Sequence, residues 1–285
     1  MGSELISHHL IVGGREVTLL EGPAGWGEIS LVAGYPCSPE AARRAAEEAA
    51  TVGFPAPVRR AVMVNALVAG LPIDAFALAG YPAIKIKIKS LADVDLVAQV
   101  RDLVGPGPAL RVDANGAFSV ETAQAVAEQL AFLGVELFEQ PVASLEDLAT
   151  VRRSSPIPIA ADEAVRTVAD AQRLRALGAA DVLVLKVAPL GGVRAALEIA
   201  EVAGVPALVS SMMETSVGVS AGLALAAALP ELAYPCGLAT VAALPEDVVA
   251  RRLLPEHGVL RLRNIVPDAD LLERYSAAAN QAAIS

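Results

Sequence analysis

The segment AIKIKIKSLADVDLVAQVRDLVGPGPALRVDAN (residues 83–115) reads as strand, helix, strand. Its start alternates Ile84, Ile86 and Ile88 with Lys85, Lys87 and Lys89. A period of two puts the isoleucines on one face of a β-strand and the ammonium groups on the other. Ser90 stands where an N-cap belongs, and the Ala/Leu/Val-rich stretch behind it predicts a helix over 91–104. ALRVD (109–113) then predicts a second strand. Strands joined through a helix run parallel, as in a βαβ unit. Three lysines on one face are ordinary if water covers them; if not, they need partners.

The same beat extends outward. Further strands are predicted at 61–66 (AVMVNA), 135–139 (VELFE), 157–162 (IPIAAD), 181–187 (DVLVLKV), 206–211 (PALVSS) and 234–238 (YPCGL). Helices are predicted over 73–79, 119–133, 144–153, 167–177, 191–203 and 215–228, with Ser119, Ser144 and Thr167 as N-caps. Eight strands alternating with helices predict an α/β fold of the closed TIM-barrel type. An open doubly wound sheet is the rival, but no GxGxxG follows the first strand. Residues 1–59 break the rhythm with a meander (VTLLEGPAGWGEISLV, 17–32) and a helix over Pro39–Val52, predicting a small α+β domain ahead of a barrel at 60–240. The remaining segment, 241–285, carries a short strand (GVLRLR, 258–263) expected to fold back onto that domain.

Composition narrows the function classes. With 54% hydrophobic but only 4% aromatic residues, Ala, Val and Leu must fill the core. A net charge of −10 without a basic stripe argues against a nucleic-acid partner. The Ala/Leu-rich run 217–229 is too short to span a membrane, so no membrane partner is expected. Cys37 and Cys236 stand apart without CxxC or Cys/His spacing, which disfavours a disulfide framework or zinc site. The start MGSELISHHL shows no basic, then apolar, leader, and a cytoplasmic location is the expectation.

Polar residues gather at the strand ends. The second strand carries the lysines; the third ends in Arg111-Val112-Asp113-Ala114-Asn115, the fourth in Glu139-Gln140-Pro141, the fifth in Asp162-Glu163, the sixth at Lys186 and the seventh in Ser210-Ser211. Singly, each reads as a cap or a solvated side chain. In a parallel barrel, however, all these ends meet at one mouth, where active sites lie. Crowded carboxylates repel unless cations balance them. Asp113, Glu139 and Asp162 offer hard oxygens with no nearby His or Cys, a donor set for Mg²⁺ or Mn²⁺ rather than zinc. Such an ion stabilises a substrate carboxylate whose neighbouring carbon loses a proton. A lysine kept neutral by neighbouring cations is the expected base. Lys186, from the far side of the barrel, is a second acid/base or a fixed cation.

The ordered set GPAGWGE (22–28), KIK (85–87), RVDANGAF (111–118), EQP (139–141), AADE (160–163), DVLVLKVAPLGGV (181–193), SSMMETSVG (210–218) and CGLAT (236–240) resembles the enolase superfamily in its muconate-lactonizing branch. The chain is most similar there to o-succinylbenzoate synthases of the actinobacterial type. The resemblance implies a (β/α)7β barrel closed by a capping domain built from both termini. It implies Mg²⁺ on Asp113, Glu139 and Asp162, Lys87 as the base and Lys186 as the opposing lysine. Lys87-Ile88-Lys89 also spells KxK, so Lys89 stays an alternative base. Lys85, Ser210 and Ser211 are implied near the substrate carboxylate, the serines through backbone N–H groups. Arg111, Asn115 and Glu163 are implied as support beside the ligands. The implied reaction is a metal-assisted elimination of water from a cyclohexadiene carboxylate, giving o-succinylbenzoate for menaquinone biosynthesis.

Two segments depart from that pattern. HHLIVGGREVTLL (8–20) holds Arg15 as its only arginine where relatives have an Arg-Phe-Arg-Gly-like stretch, and ISLV (29–32) replaces an aromatic-rich one. Both bear on substrate choice. A racemase or epimerase of N-acylamino acids or dipeptides would use the same ligands and both lysines. Rivals of another class are a phosphate-binding barrel, with PLGGV (189–193) as its loop, and a non-catalytic barrel. Trp26 is expected to pack the cap on the barrel or border the pocket, and His8, His9 and His257 to lie outside the constellation.

Overall fold

The computed structural model describes residues 5–282. Three antiparallel strands open the chain: β1 (Ile6–Val12), β2 (Arg15–Gly22) and β3 (Gly25–Ile29). The meander expected at 17–32 is there, preceded by a strand that sequence reading left unassigned. Gly13 and Gly14, both at positive φ, turn β1 into β2. Helix α1 (Pro39–Thr51), with Pro39 at its start and Ser38 accepting the Ala41 N–H, packs on this sheet. Its buried face is all alanine: Ala41, Ala42, Ala45, Ala46, Ala49 and Ala50. So small a face lets the backbones approach closely, and glycines meet it. A Cβ on Gly27 would lie 2.0 Å from the Ala46 carbonyl oxygen, and one on Gly22 would lie 2.4 Å from that of Ala50.

Seven parallel strands form the main sheet in the order β11-β10-β9-β8-β7-β6-β5. They are β5 (Ala66–Val68), β6 (Ala83–Lys87), β7 (Ala109–Asp113), β8 (Val135–Glu139), β9 (Ile159–Ala161), β10 (Val182–Leu185) and β11 (Ala207–Val209). The eighth predicted strand, 234–238, is reduced to a bridge segment that still joins the two sheet edges. Cys236 pairs with Val64 and Gly237 with Ser210, both in parallel fashion. The Cys236 N–H donates to Met63 O and the Gly237 N–H to Val209 O, each at 2.8 Å. The sheet thus closes on itself.

Helices cover its outside: α2 (Ala75–Leu78), α3 (Val94–Val104), α4 (Val120–Phe132), α5 (Leu145–Ser154), α6 (Val168–Leu177), α7 (Val187–Leu190), α8 (Val193–Ala203) and α9 (Ser216–Ala228). Ser119, Ser144 and Thr167 cap α4, α5 and α6 through their side chains. Ser90 heads a 3₁₀ turn at Leu91–Asp93, with Asp93 Oδ2 accepting its N–H at 2.8 Å. The helix expected at 73–79 is one turn. That expected at 191–203 starts at Val193, because Gly191 and Gly192, at positive φ, separate α7 from α8.

Two further expectations are corrected. The run 61–66 is not one strand: β4 (Ala61–Met63) pairs antiparallel with β12 (Val259–Arg261), and only β5 joins the barrel. The chain changes partners between them, where the Val64 N–H goes to Gly258 O and the Asn65 N–H to Cys236 O. The GVLRLR strand therefore lies against the barrel's own chain and not on the N-terminal domain. The contact with that domain is made by α10 (Ala269–Ala282), which packs on β1.

The cap is tied to the barrel by Glu28 on β3. Its carboxylate accepts from Thr215 N–H (3.0 Å), Thr215 Oγ1 (2.6 Å) and Gly218 N–H (2.8 Å), and so caps α9 from another domain. Trp26 packs beside this contact, near Ala45, Val187 and Val217, and does not border the main cavity. Substituting Gly27→Ala forces α1 away from β3. It should lower stability by about 1–3 kcal/mol, read as a lower urea midpoint at unchanged slope.

Candidate active site and metal centre

Register brings the site together. Parallel pairing sets Lys85 beside Arg111, Lys87 beside Asp113, Asp113 beside Glu139, and Glu139 beside Ala160. Residues two apart share a face, so Asp162 follows Ala160 to the same mouth. One ligand atom each of Asp113, Glu139 and Asp162 lies within 4.8 Å of the others, and no carboxyl is more than 1% exposed. That is the convergence the strand ends predicted.

The lysine face is buried in this company. Lys85 Nζ donates to Asp113 Oδ2 and Glu139 Oε1, both at 2.9 Å. Lys87 Nζ donates to Asp113 Oδ2 at 2.6 Å and to Asn115 Oδ1 at 2.7 Å. Lys186 Nζ reaches Asp162 Oδ2 and, at 2.8 Å, the Tyr35 hydroxyl. Lys89, one strand repeat farther out, is exposed and contacts none of the three carboxylates. Of the two KxK registers, Lys85/Lys87 is the one at the acidic cluster.

Electrostatics follow from this geometry. Burial pushes Asp113 up, but the Lys85 and Lys87 ammonium groups outweigh it and hold its carboxyl below the usual range. Asp162 is lowered in the same way, burial being overcome by Lys186. Burial and the neighbouring Asp113 charge push Glu139 up to about 8, against the pull of Lys85. The lysines depart from expectation. Burial lowers an amine, yet Asp113 and Glu139 raise Lys85 above its ordinary value, and Asp162 with Glu139 does the same for Lys186. The carboxylates, at hydrogen-bond distance, dominate over lysine–lysine repulsion. Neighbouring cations do not keep these two amines neutral.

Around the cluster, Asn115 is the hub. Held at φ 47°, it donates its N–H to Asp113 Oδ1 (3.0 Å) and its Nδ2 to Glu163 Oε1 (2.8 Å), and accepts from Lys87. Glu163 Oε2 is buried without a hydrogen bond among the described residues. Arg111 is placed differently from the expected support role. Its hydrogen bonds go to Glu136 (2.8 Å) and to Pro235 O (2.6 Å), over the Tyr234 ring. It braces the barrel interior rather than a ligand. Ser210 is corrected too: its N–H donates to Leu185 O at 2.8 Å, finishing the sheet ladder, and is not free for a substrate carboxylate. Ser211 stays on the cavity wall, its Oγ donating to Gly237 O at 2.7 Å.

Three participants escaped sequence reading. Tyr35, in the loop after β3, donates its hydroxyl to Asp162 Oδ1 (2.9 Å) and accepts from Lys186 and from Arg166 Nη2 (2.9 Å). Arg166 also donates to Asp162 O at 2.9 Å. Gln140, at φ 40°, accepts the Asp162 N–H at 2.7 Å and donates to Val142 O at 2.7 Å, fixing the end of β8 to that of β9. Only Gln140 had a signal, its place in EQP. Tyr35 arrives from another domain and Arg166 from a loop.

The cluster opens into a cavity of about 500 Å³ between the barrel mouth and cap-loop residues 32–36, with Lys85, Lys87, Lys89, Lys186, Ser210 and Ser211 on its wall. Three buried carboxylates converging with oxygen donors only fit a hard divalent cation. The phosphate-loop alternative fails at α8. The Glu48 carboxylate already occupies that helix start, binding Arg194 N–H at 3.3 Å and Arg194 Nη1 at 2.7 Å. His8 and His9 pair with Glu21 and Thr18 on the cap sheet, and His257 lies beside Gly80, away from the cavity.

Residues 73–269 match the family model described as enolase C-terminal domain-like. The chain belongs to the enolase superfamily, in its muconate-lactonizing branch. It is 49% identical over 263 residues to an o-succinylbenzoate synthase of Thermobifida fusca, covering 88% of this chain and 82% of that protein. It is 42% identical over 275 residues to one of Mycobacterium tuberculosis, covering 92% and 83%. Muconate cycloisomerase from Pseudomonas fluorescens superposes with a TM-score of 0.83 at 23% identity, over 96% of this chain and 98% of that one, a likeness of fold.

Two outcomes test the metal centre. Asp162→Asn should weaken divalent-cation affinity by tenfold or more in calorimetry, since it removes a charged ligand and strands Lys186. Glu139, with its pKa pushed up to about 8, carries a proton below that pH, and a cation must displace it. Mg²⁺ affinity should therefore rise with pH up to about 8 and level off above it. Titrations in buffers of different ionisation enthalpy should show protons released on binding at pH 7 and fewer released at pH 9.

Proposed function

We propose that this protein is an o-succinylbenzoate synthase. The observation that carries it is the Asp113–Glu139–Asp162 cluster with Lys87 against it and Lys186 opposite, in a chain nearly half identical to a protein of that name. The reaction assigned is loss of water from 2-succinyl-6-hydroxy-2,4-cyclohexadiene-1-carboxylate.

Asp113, Glu139 and Asp162 would hold Mg²⁺, or Mn²⁺ in its place. When bound, the ion supplies positive charge against which a substrate carboxylate can accumulate negative charge. Lys87 is the base. Its Nζ is half-buried and steered by Asn115 Oδ1, on a side chain that Glu163 in turn fixes. It takes the proton α to the carboxylate. The C–H electron pair enters the ring system, and hydroxide departs from the neighbouring carbon as the ring becomes aromatic. The same ammonium can deliver its proton to the departing hydroxide, which leaves as water and returns Lys87 to its starting state. Lys186, held by Asp162 and Tyr35 and raised above its ordinary pKa, remains a cation on the other substrate face. Lys85 neutralises Asp113 and Glu139 beneath. The Ser211 backbone is left to orient the substrate carboxylate.

A second reading, racemisation of N-succinyl amino acids, is favoured by one observation: Lys87 and Lys186 come from β6 and the end of β10 and border one cavity. It requires Lys186 to release a proton. Incubation with N-succinyl amino acids in D₂O separates the two, since α-deuteration with loss of optical activity marks racemisation.

Purified protein with the cyclohexadiene should form o-succinylbenzoate only when Mg²⁺ or Mn²⁺ is added. Lys87→Ala should lower kcat by about 10²–10⁴-fold while leaving the circular dichroism spectrum unchanged. Full turnover in that variant would remove Lys87 from the mechanism.

A further inference from the structure

Lys89 is the member of the lysine stripe that this chemistry leaves unused. It borders the same cavity as Lys85, Lys87 and Lys186, but its circumstances differ. Those three are each bonded to Asp113, Glu139 or Asp162. Lys89 forms no ion pair among the described residues and is exposed on the cavity's open side. Its backbone is fixed all the same. The Lys89 N–H donates to Asp93 Oδ2 at 2.7 Å, and the preceding Ile88 N–H donates to Asp113 O at 3.0 Å. These bonds anchor the turn just past β6, and Lys89 lines the same cavity as Lys85 and Lys87.

Two nearby arginines bond to other groups, although Arg15 Nη2 has no partner among the described residues. Arg166 is bound to Tyr35 and Asp162 O, and Arg15 to Met213 O. The acid on the cavity wall, Glu163, is engaged by Asn115. An anionic group entering the outer cavity meets Lys89 as a cation on the wall that no acid side chain pairs with among the described residues.

We propose that Lys89 binds a second carboxylate of the substrate, the terminal one of its succinyl chain, and so selects dicarboxylates over monocarboxylates. This rests on the synthase reading, which directs the ring carboxylate to the acidic end of the cavity. Lys89 stands two residues past the end of β6, at most about 7 Å of chain beyond Lys87. Six bonds separate the two carboxyl carbons of the substrate, roughly 7 Å when extended. A ligand of that length can span from the acidic cluster to the outer wall that carries Lys89. A partly solvated ion pair contributes selectivity of about two- to fivefold.

The test compares o-succinylbenzoate with o-butyrylbenzoate, the same skeleton ending in methyl, by calorimetry in the presence of Mg²⁺. The native protein should prefer the dicarboxylate about two- to fivefold. Lys89→Met should erase that preference by weakening the dicarboxylate alone, and Lys89→Arg should restore it. In turnover, the Lys89→Met loss should fall on KM far more than on kcat. A preference that survives Lys89→Met, or is missing from the native protein while o-succinylbenzoate still binds and forms, overturns the inference and spares the synthase reading. Failure of both ligands to bind, with no turnover, overturns both.

Discussion

Three carboxyl groups within 4.8 Å of each other, none more than 1% exposed, would repel one another strongly in a dry barrel mouth. The surrounding structure is arranged around that repulsion. Lys85, at 6% exposure, lies between Asp113 and Glu139, and Lys186, at 4%, against Asp162. Removing one partner of a buried pair of this kind costs about 3–5 kcal/mol. Lysines and acids therefore form a single electrostatic unit. Within it Glu139 is the weakest acid, raised by burial and by the Asp113 charge. A binding site of this design is less stable than an apolar core of equal volume would be, and the barrel's aliphatic walls compensate.

The capping domain reaches into this unit twice. Tyr35 places its hydroxyl among Asp162, Lys186 and Arg166, with its ring 4.2 Å below the Lys186 ammonium. Glu28 holds the start of α9 and, with burial, pushes Glu214 up to about 7. Gly22 and Gly27 let α1 sit directly on the cap sheet, which brings its Glu48 to the start of α8. Cap and barrel are thus joined through polar groups that are buried once the two meet. The loop at 32–36 is set over the cavity as a consequence, and residues of both domains line it.

Much of this was legible from local pattern. The strand–helix beat, the N-caps at Ser119, Ser144 and Thr167, and the acidic strand ends all report short-range chemistry, where a residue and its neighbours suffice. Misreadings fell where partners are distant. AVMVNA has the composition of one strand, yet Cys236 and Gly258 compete for its backbone and split it. Ser210 looks like a free strand-end serine, but Leu185 takes its N–H. Arg111 sits beside Asp113 in sequence and turns to Glu136 and Pro235 in space.

The sequence by itself determined the barrel, its parallel strands and the convergence of three carboxylates, because alternation along a strand dictates which side chains share a face. Only the tertiary structure decided the raised pKa values of Lys85 and Lys186, the capture of Tyr35 and Arg166, and which lysines pair with the buried acids. Those depend on distances between elements far apart in the chain, and Coulomb energy in a buried site changes steeply with distances that no local pattern encodes.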